Sequence, residues 1–334
     1  ASQFVVGGLS GIEMAKIKLY GTIEDMKIER LELKSVNAAG NISQVRLLGT
    51  GLSTDPTASL LGDVATFTFP GGSEIVVPAY GTKIITVAVD TTNAGTLVAG
   101  DLGVIGFGTM NAKGAGSSNT VLETVAGTSY VAGTDAYAFS LGDILYFTKT
   151  AASGTHRAPG YYMATGTGGG TDLSSNGVFL NGGDEKTVFT AGDKVTKLTG
   201  TTDTIDGDKK TTQAYARGDV VFVHDADAPA NNGFYIVTTA VSSGTVVSAK
   251  DALVKGLTLA ATDQVTKLTN ANALFSNTMQ FEEVKPIISK NSSSPAGTTS
   301  GTAEQIVAMF DVKAEGQRDL TFSALTLEKG GNNN

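Results

Sequence analysis

The sequence contains no cysteine and no tryptophan, and only 17% of its 334 residues are charged. The absence of Cys excludes disulfides, thiolate metal sites and thiol nucleophiles. The charged fraction is low beside the roughly 25% of an ordinary soluble domain. No apolar run reaches the about 18 residues of a membrane-spanning helix. The sequence therefore predicts no transmembrane segment.

Positive charge is also scarce. The formal net charge is −8 and the isoelectric point is near 4.9. Proteins that bind nucleic acid neutralise phosphates with clustered Lys and Arg, and no such cluster occurs here. The charge balance predicts that nucleic acid is not a partner.

What the chain has in quantity is strand and turn chemistry. It contains 42 glycines but only 7 prolines, together with many β-branched residues that pack well on a pleated surface. Residues 15–20 and 26–33 alternate apolar and polar side chains, and further short runs follow at 64–69, 84–89 and 104–107. This pattern is typical of an antiparallel β-sandwich, and helical periodicity is almost absent.

The two ends of the chain repeat one another. Residues 15–19 are echoed at 308–312, and residues 25–33 are echoed at 319–327. A lone strand pair cannot bury a core, so these C-terminal strands must pair with another chain, fold back on this one, or begin a further domain. The candidate assembly residues on them are Phe310, Val312, Leu320, Phe322, Leu325 and Leu327.

A second repeat occupies the middle of the chain. Residues 136–165 match 214–238, and residues 193–199 are nearly copied at 263–269. Each copy has a Gly-Asp turn that leads into a strand, followed by a strand that begins with glycine and an aromatic residue. The expected domains are a discontinuous sandwich at 1–125 and 273–288, β repeats at 126–205 and 206–272, and a linker with opening strands at 289–334.

Two parts of the sequence resemble known families. Residues 276–286, the Ser-Ser-Ser-Pro-Ala-Gly run at 292–297 and the strand at 308–312 resemble domain junctions in tandem β-sandwich surface-layer and extracellular filament proteins of candidate-phyla bacteria (Patescibacteria). Residues 218–223 with 232–237 are similar to a repeat unit of phage tail fibres and bacterial surface proteins. The first resemblance implies an Ig-like sandwich, and both imply display at the cell surface or secretion.

These features predict an all-β protein: a sandwich with an inserted pair of small β repeats, and C-terminal strands that open or complete a second sandwich. The first functional hypothesis is a structural subunit of a surface layer or filament. It would assemble with identical chains or tandem neighbours by β-strand complementation. The alternative is an adhesin or phage fibre protein that binds a surface glycan through the inserted repeats. No catalytic residue is predicted, and an enzyme is the least favoured hypothesis.

Three sets of residues are candidates for chemistry. His156 and His224 are the only histidines, and loop side chains are their simpler interpretation. Close-spaced aspartates could bind Ca²⁺, although ordinary Asx turns also explain them and the EF-hand spacing fails. Adjacent aromatics in strands could line a glycan-binding face, but alternation places one of each pair in a core. The aspartates are Asp203, Asp206, Asp208, Asp225 and Asp227, and the aromatics are Tyr161, Tyr162, Phe234 and Tyr235.

Overall fold

The computed structural model describes residues 3–121, 125, 127–131, 134–140, 142–148, 160–164, 168–170, 179–180, 194–198, 200–225, 227–249, 252–269, 271, 274–295, 306, 308–324 and 326. The described residues contain no α-helix, and about half of the chain lies in strands. The sheets are mainly antiparallel. The predicted all-β, sandwich-type fold is confirmed.

The first eleven strands are β1 (Gln3–Val6), β2 (Ile12–Tyr20), β3 (Met26–Val36), β4 (Ile42–Leu48), β5 (Thr57–Ala58), β6 (Leu60–Leu61), β7 (Val64–Thr68), β8 (Ile75–Val77), β9 (Thr82–Thr91), β10 (Leu102–Gly114) and β11 (Thr120–Val121). The next seven are β12 (Thr128–Val131), β13 (Tyr137–Phe139), β14 (Ile144–Thr148), β15 (Gly160–Ala164), β16 (Gly168–Gly170), β17 (Phe179–Leu180) and β18 (Lys194–Leu198). The rest are β19 (Gly200–Thr204), β20 (Val220–His224), a 3₁₀ turn (Pro229–Asn231), β21 (Gly233–Ile236), β22 (Gln264–Leu268), β23 (Met279–Glu282), β24 (Val284–Lys290) and β25 (Phe310–Gly316).

A sandwich of two sheets forms from the first eleven strands and β23. The large sheet has the order β1-β23-β10-β3-β7-β6, with β8 also on β3 and β11 on β10. The small sheet has the order β2-β9-β4-β5. Alternation along β3 places Ile28, Leu31 and Leu33 between the sheets, against Ile85 and Val87 of β9. Burying each of these side chains contributes about 1.5–3 kcal/mol.

The chain leaves the sandwich after β11 and returns to it through β23. In the large sheet β23 lies between β1, to which it is parallel, and β10, to which it is antiparallel. Phe275 also forms a bridge with Gly106 of β10, where a side chain on residue 106 would overlap the Phe275 ring. The excursion therefore leaves from β11 and returns through β23, and both of these strands pair with β10.

The two inserted repeats have the same internal order, β12-β18-β14-β15 in the first and β19-β22-β20-β21 in the second. Matching contacts stabilise both. Lys197 Nζ lies 2.6 Å from Asp143 in the first repeat, and Lys267 Nζ lies 2.6 Å from Asp219 in the second. Because β19 pairs with β22, residues 200–204 belong to the second sheet. The expected boundary after residue 205 is therefore wrong, and the second repeat begins with β19.

The repeat sheets are buried on both faces. Their inner faces and β10 share one apolar core, called here the shared core, which contains Tyr146 and Tyr161 of the first repeat, Phe222 and Phe234 of the second, and Phe275. The outer face of each repeat has a separate core of its own. Two-sided burial explains why residues 144–147 and 220–223 are continuous apolar runs instead of alternating.

Candidate assembly surface

A two-stranded ribbon extends the chain beyond the sandwich. β24 and β25 pair antiparallel, with Ile288 opposite Val312 and Lys290 opposite Phe310. Within the described residues neither strand pairs with any other strand. Each strand therefore keeps one edge of backbone N–H and C=O groups without a ladder partner, which is a ready template for a further strand.

One face of the ribbon is apolar. Successive side chains in a strand point to opposite faces, so Pro286 and Ile288 of β24 share a face with Phe310, Val312 and Ala314 of β25. Lys290, opposite Phe310 at the end of the ribbon, is the charged residue on this face. Ile288 is 59% exposed, Phe310 55% and Val312 50%. Burying such a side chain fully contributes about 1.5–3 kcal/mol. Because these side chains are about half exposed, a partner that covered them could contribute roughly half of that free energy for each one.

The opposite face is mostly polar and solvated. Lys285 Nζ lies 2.6 Å from Glu315 across the strands, and Asp311 and Lys313 lie on the same face. Ile287 is the exception, since it lies among these polar residues and is 38% exposed. The ribbon is therefore amphipathic, with one mostly apolar face and one mostly polar face.

The base of the ribbon is attached to the sandwich. The backbone N–H of Ala94 donates to Oε1 of Gln317, and the Arg318 guanidinium lies 3.4 Å from the Glu283 carboxylate. Gly316 has a φ of +126°. A Cβ there would lie 2.5 Å from the Glu283 carbonyl oxygen, so only glycine fits this close approach.

The predicted assembly residues divide into three groups. Phe310 and Val312 lie on the apolar face of the ribbon. Leu320 and Phe322 follow it, and Phe322 is 52% exposed, but the described residues 317–324 form no strand. The prediction of a second strand that begins at residue 319 is therefore wrong for the described residues. The N-terminal segment that this region echoes is β3, which pairs with β10 on one side and β7 on the other, and no described strand pairs with residues 317–324. Leu325 and Leu327 lie outside the described residues.

Sequence reasoning missed β24, the partner of β25. Residues 284–290 alternate apolar and polar side chains only in part, because Ile287 and Lys290 break the pattern, so the local signal for a strand is weak. Pro286 weakened it, because proline cannot donate to a ladder and is confined to edge strands. An edge is the position that the structure gives to β24.

The first aspartate cluster consists of Asp203, Asp206 and Asp208, and it forms no cation site. Asp203 is buried, and its carboxylate accepts hydrogen bonds from the backbone N–H of Thr212 and from the hydroxyl of Tyr215. Asp206 accepts the backbone N–H of Lys210, whose ammonium lies 3.2 Å from Asp208. These are turn contacts of the kind that Asx residues commonly make.

The second aspartate pair is also structural. Asp225 accepts the backbone N–H groups of Asp227 and Ala228 and the side-chain amide of Asn231. Across the part of the chain that the structure describes, no group of three or more His, Cys, Asp or Glu side chains could hold a metal ion. The described residues therefore give the Ca²⁺ interpretation no support, because the carboxylates of Asp203, Asp206, Asp208 and Asp225 hold neighbouring donors in turns.

The predicted glycan face is wrong as well. Tyr161 and Phe234 lie in the shared core with ring centroids 5.2 Å apart, and Tyr162 lies in the outer core of the first repeat. Tyr235 is half-buried, and its hydroxyl donates to the Asn231 carbonyl. Sheets buried on both faces take Tyr161, Tyr162 and Phe234 out of solvent and leave Tyr235 half-buried.

Of the two histidines, the structure describes His224. His224 ends β20, opposite Gln264 of β22, instead of lying in a loop. Partial burial lowers its pKa below the ordinary value, against the attraction of the nearby Asp263 and Asp225 carboxylates. His156 lies outside the described residues.

No protein-family model, curated protein or solved structure matches this chain. Among the residues that are described, no helix is long and apolar enough to cross a membrane. The class that the fold defines is an all-β sandwich protein with inserted repeats. The functional argument therefore rests on the geometry of the ribbon and the sandwich.

Proposed function

We propose that this protein is a structural subunit of an extracellular layer or filament, and that its subunits join by β-strand complementation. The observation that carries this proposal is the amphipathic ribbon of β24 and β25. It combines a half-exposed apolar face with free strand edges on an element anchored to the sandwich. An apolar face at a strand edge favours strand addition by a partner.

Other features of the described fold support a structural role. The aspartates and aromatics that could have served a ligand site are used for turns and cores. Both repeats and the sandwich contribute to the shared core, which favours a stiff unit that can transmit load. The glycan-binding alternative is not favoured, because three of the four aromatics on which it depended are buried in cores and the fourth is half-buried.

Two neighbouring isoleucines of β24 provide a matched test. Ile288 lies on the apolar face and Ile287 on the polar face, so Ile288→Asp and Ile287→Asp introduce the same change on opposite sides of the ribbon. We expect Ile288→Asp to abolish assembly of the full chain and Ile287→Asp to preserve it. Sedimentation velocity and electron microscopy measure assembly, and circular dichroism confirms that both variants fold.

Equal assembly of the two variants would contradict a role for the apolar face. A wild-type chain that stays monomeric at every concentration would contradict the structural-subunit proposal itself.

A further inference from the structure

The small sheet of the sandwich has an open edge at β2. Among the described strands, this nine-residue strand is terminal in the order β2-β9-β4-β5 and pairs only with β9. The backbone N–H and C=O groups on its other side therefore lack a ladder partner in the described structure. An edge of this length can accept a complete additional strand.

The inner face of β2 is incompletely covered. Its core-facing side chains, including Ala15 and Ile17, are only partly buried against the sandwich core. Their neighbours across the ladder on β9, Ile85 and Val87, are at most 1% exposed. The difference between adjacent strands of one sheet indicates that the core lacks a covering element on the β2 side.

A groove of about 610 Å³ lies along this edge. Residues 13–19 of β2 form one wall, and Phe107, Met110 and residues 274–277 lie on the other side. Leu33, Val87 and Ile105 also line it, and all three belong to the buried interior. The groove therefore gives access to the sandwich core beside an unpaired strand edge.

We propose that this groove, called here the β2 groove, accepts β25 from a second copy of the chain. The proposal rests on the proposed function and identifies the surface that receives the donated strand. β25 has seven residues against the nine of β2, so it fits within the open edge. Its alternating apolar residues Phe310, Val312 and Ala314 would enter the groove and cover the half-buried side chains of β2.

Charge pairing favours one antiparallel register, which joins two pairs of opposite charges. In the antiparallel register with Phe310 opposite Ile17, Asp311 faces Lys16. The bulge of β2 between residues 13 and 15 then brings Glu13 opposite Lys313. Each cross-strand pair of opposite charges contributes roughly 0.2–1 kcal/mol.

The internal repeat supports the same occupant. The sequence of β25 echoes that of β2, so the donated strand carries an alternation already compatible with this sheet. A second copy is favoured over the same chain because, in the described structure, β25 pairs with β24 and not with its own β2, and its Phe310 stays 55% exposed. In that position the ribbon of one chain is free to enter the groove of the next.

The absence of cysteine allows a direct test by crosslinking. One full-length chain carries Lys16→Cys and a second carries Asp311→Cys, and the mixture is oxidised mildly. The control replaces Lys16→Cys with Asp208→Cys, at an exposed side chain of the second repeat. Docking raises the local thiol concentration from micromolar to about millimolar, so we expect at least about a tenfold excess of mixed disulfide over the control.

The outcomes separate the two proposals. Equal crosslinking in the test and control mixtures would refute the β2 groove as acceptor, while loss of assembly in Ile288→Asp would still uphold the proposed function. A chain carrying both Lys16→Cys and Asp311→Cys that closes a disulfide within the monomer at high dilution would refute the second copy as occupant. Mixed disulfide in excess, together with assembly that depends on Ile288, would support both.

Discussion

Truncation of Phe234 tests whether the sandwich and the two repeats unfold as one unit. The Phe234 ring lies at the centre of the shared core and contacts aromatic rings from three parts of the chain. Its centroid lies 5.2 Å from Tyr161 of the first repeat, 5.0 Å from Phe222 of its own repeat and 5.1 Å from Phe275 next to β23. Phe234→Ala therefore removes the ring contacts that join the first repeat, the second repeat and the segment before β23.

The expected cost follows from burial and ring geometry. Replacing a buried phenylalanine by alanine costs about 3–5 kcal/mol, including the cavity that it leaves. The ring planes meet at 87°, 87° and 64°, and edge-to-face pairs add about 0.5–1.5 kcal/mol beyond burial. We therefore expect a loss in the upper half of that range, a large fraction of the roughly 5–15 kcal/mol that stabilises a domain.

Native-state hydrogen exchange, read by mass spectrometry on peptides, measures this effect in each part separately. Phe234→Ala is expected to accelerate exchange in β14, β20, β10 and β23 together. The matched control is Phe139→Ala, because Phe139 is 2% exposed in the outer core of the first repeat and lies outside the shared core. That variant is expected to accelerate exchange in the first repeat alone.

Faster exchange confined to the second repeat in Phe234→Ala would refute the reasoning. The three parts would then unfold independently, and the shared core would be a contact surface without cooperative coupling. The stiffness invoked for the structural subunit would lose its physical basis.

Three further predictions concern the junctions and the small sheet. Gly142→Ala should lower the free energy of unfolding in urea by more than Gly218→Ala. Both variants share the strain of about 1 kcal/mol at positive φ, but a Cβ at residue 142 would lie 2.2 Å from the Thr202 side chain, whereas a Cβ at residue 218 would lie 3.5 Å from that of Thr278. Thr266→Val should cost about 1–3 kcal/mol in the same assay, because it leaves the buried Gly142 carbonyl without its 2.8 Å hydrogen bond; an unchanged midpoint would contradict that contact. The Arg46 guanidinium holds the pKa of Asp90 below its ordinary value. This carboxylate therefore stabilises the fold at pH values above the unfolded pKa of about 3.9, and that stabilisation is lost as the pH falls through the folded pKa. Thermal unfolding of Asp90→Asn should therefore depend less on pH below about 4 than that of the wild type, and equal slopes would contradict the ion pair.

Alternation identified the sandwich strands because each has one face in the core and one in solvent. The repeats were recognisable in the sequence from the Gly-Asp turn and the strand that follows it. The sequence did not show that their sheets are buried on both faces. An apolar run such as 144–147 fits either a buried strand or an exposed ligand face until its neighbours are known. That ambiguity explains why Tyr161 and Phe234 were predicted to bind a glycan.

Residues distant in sequence account for what the pattern could not predict. β24 became visible only through its pairing with β25, and the openness of the β2 edge is a property of the whole small sheet. The strand at 200–204 was placed in the wrong repeat because its partner, β22, lies about sixty residues further along the chain. Local sequence carries the alternation of a strand but not the identity of its neighbours.

The junctions between the modules follow one rule, which explains how repeats can be inserted without disturbing the sandwich. In each repeat the glycine of the Gly-Asp turn presents its carbonyl to a threonine hydroxyl of the next module: Thr266 donates to Gly142, and Thr278 donates to Gly218, both at 2.8 Å. The donor that serves the first repeat lies in the second, and the donor that serves the second lies beside β23. A chain with another copy of the repeat could use the same contact at each new junction.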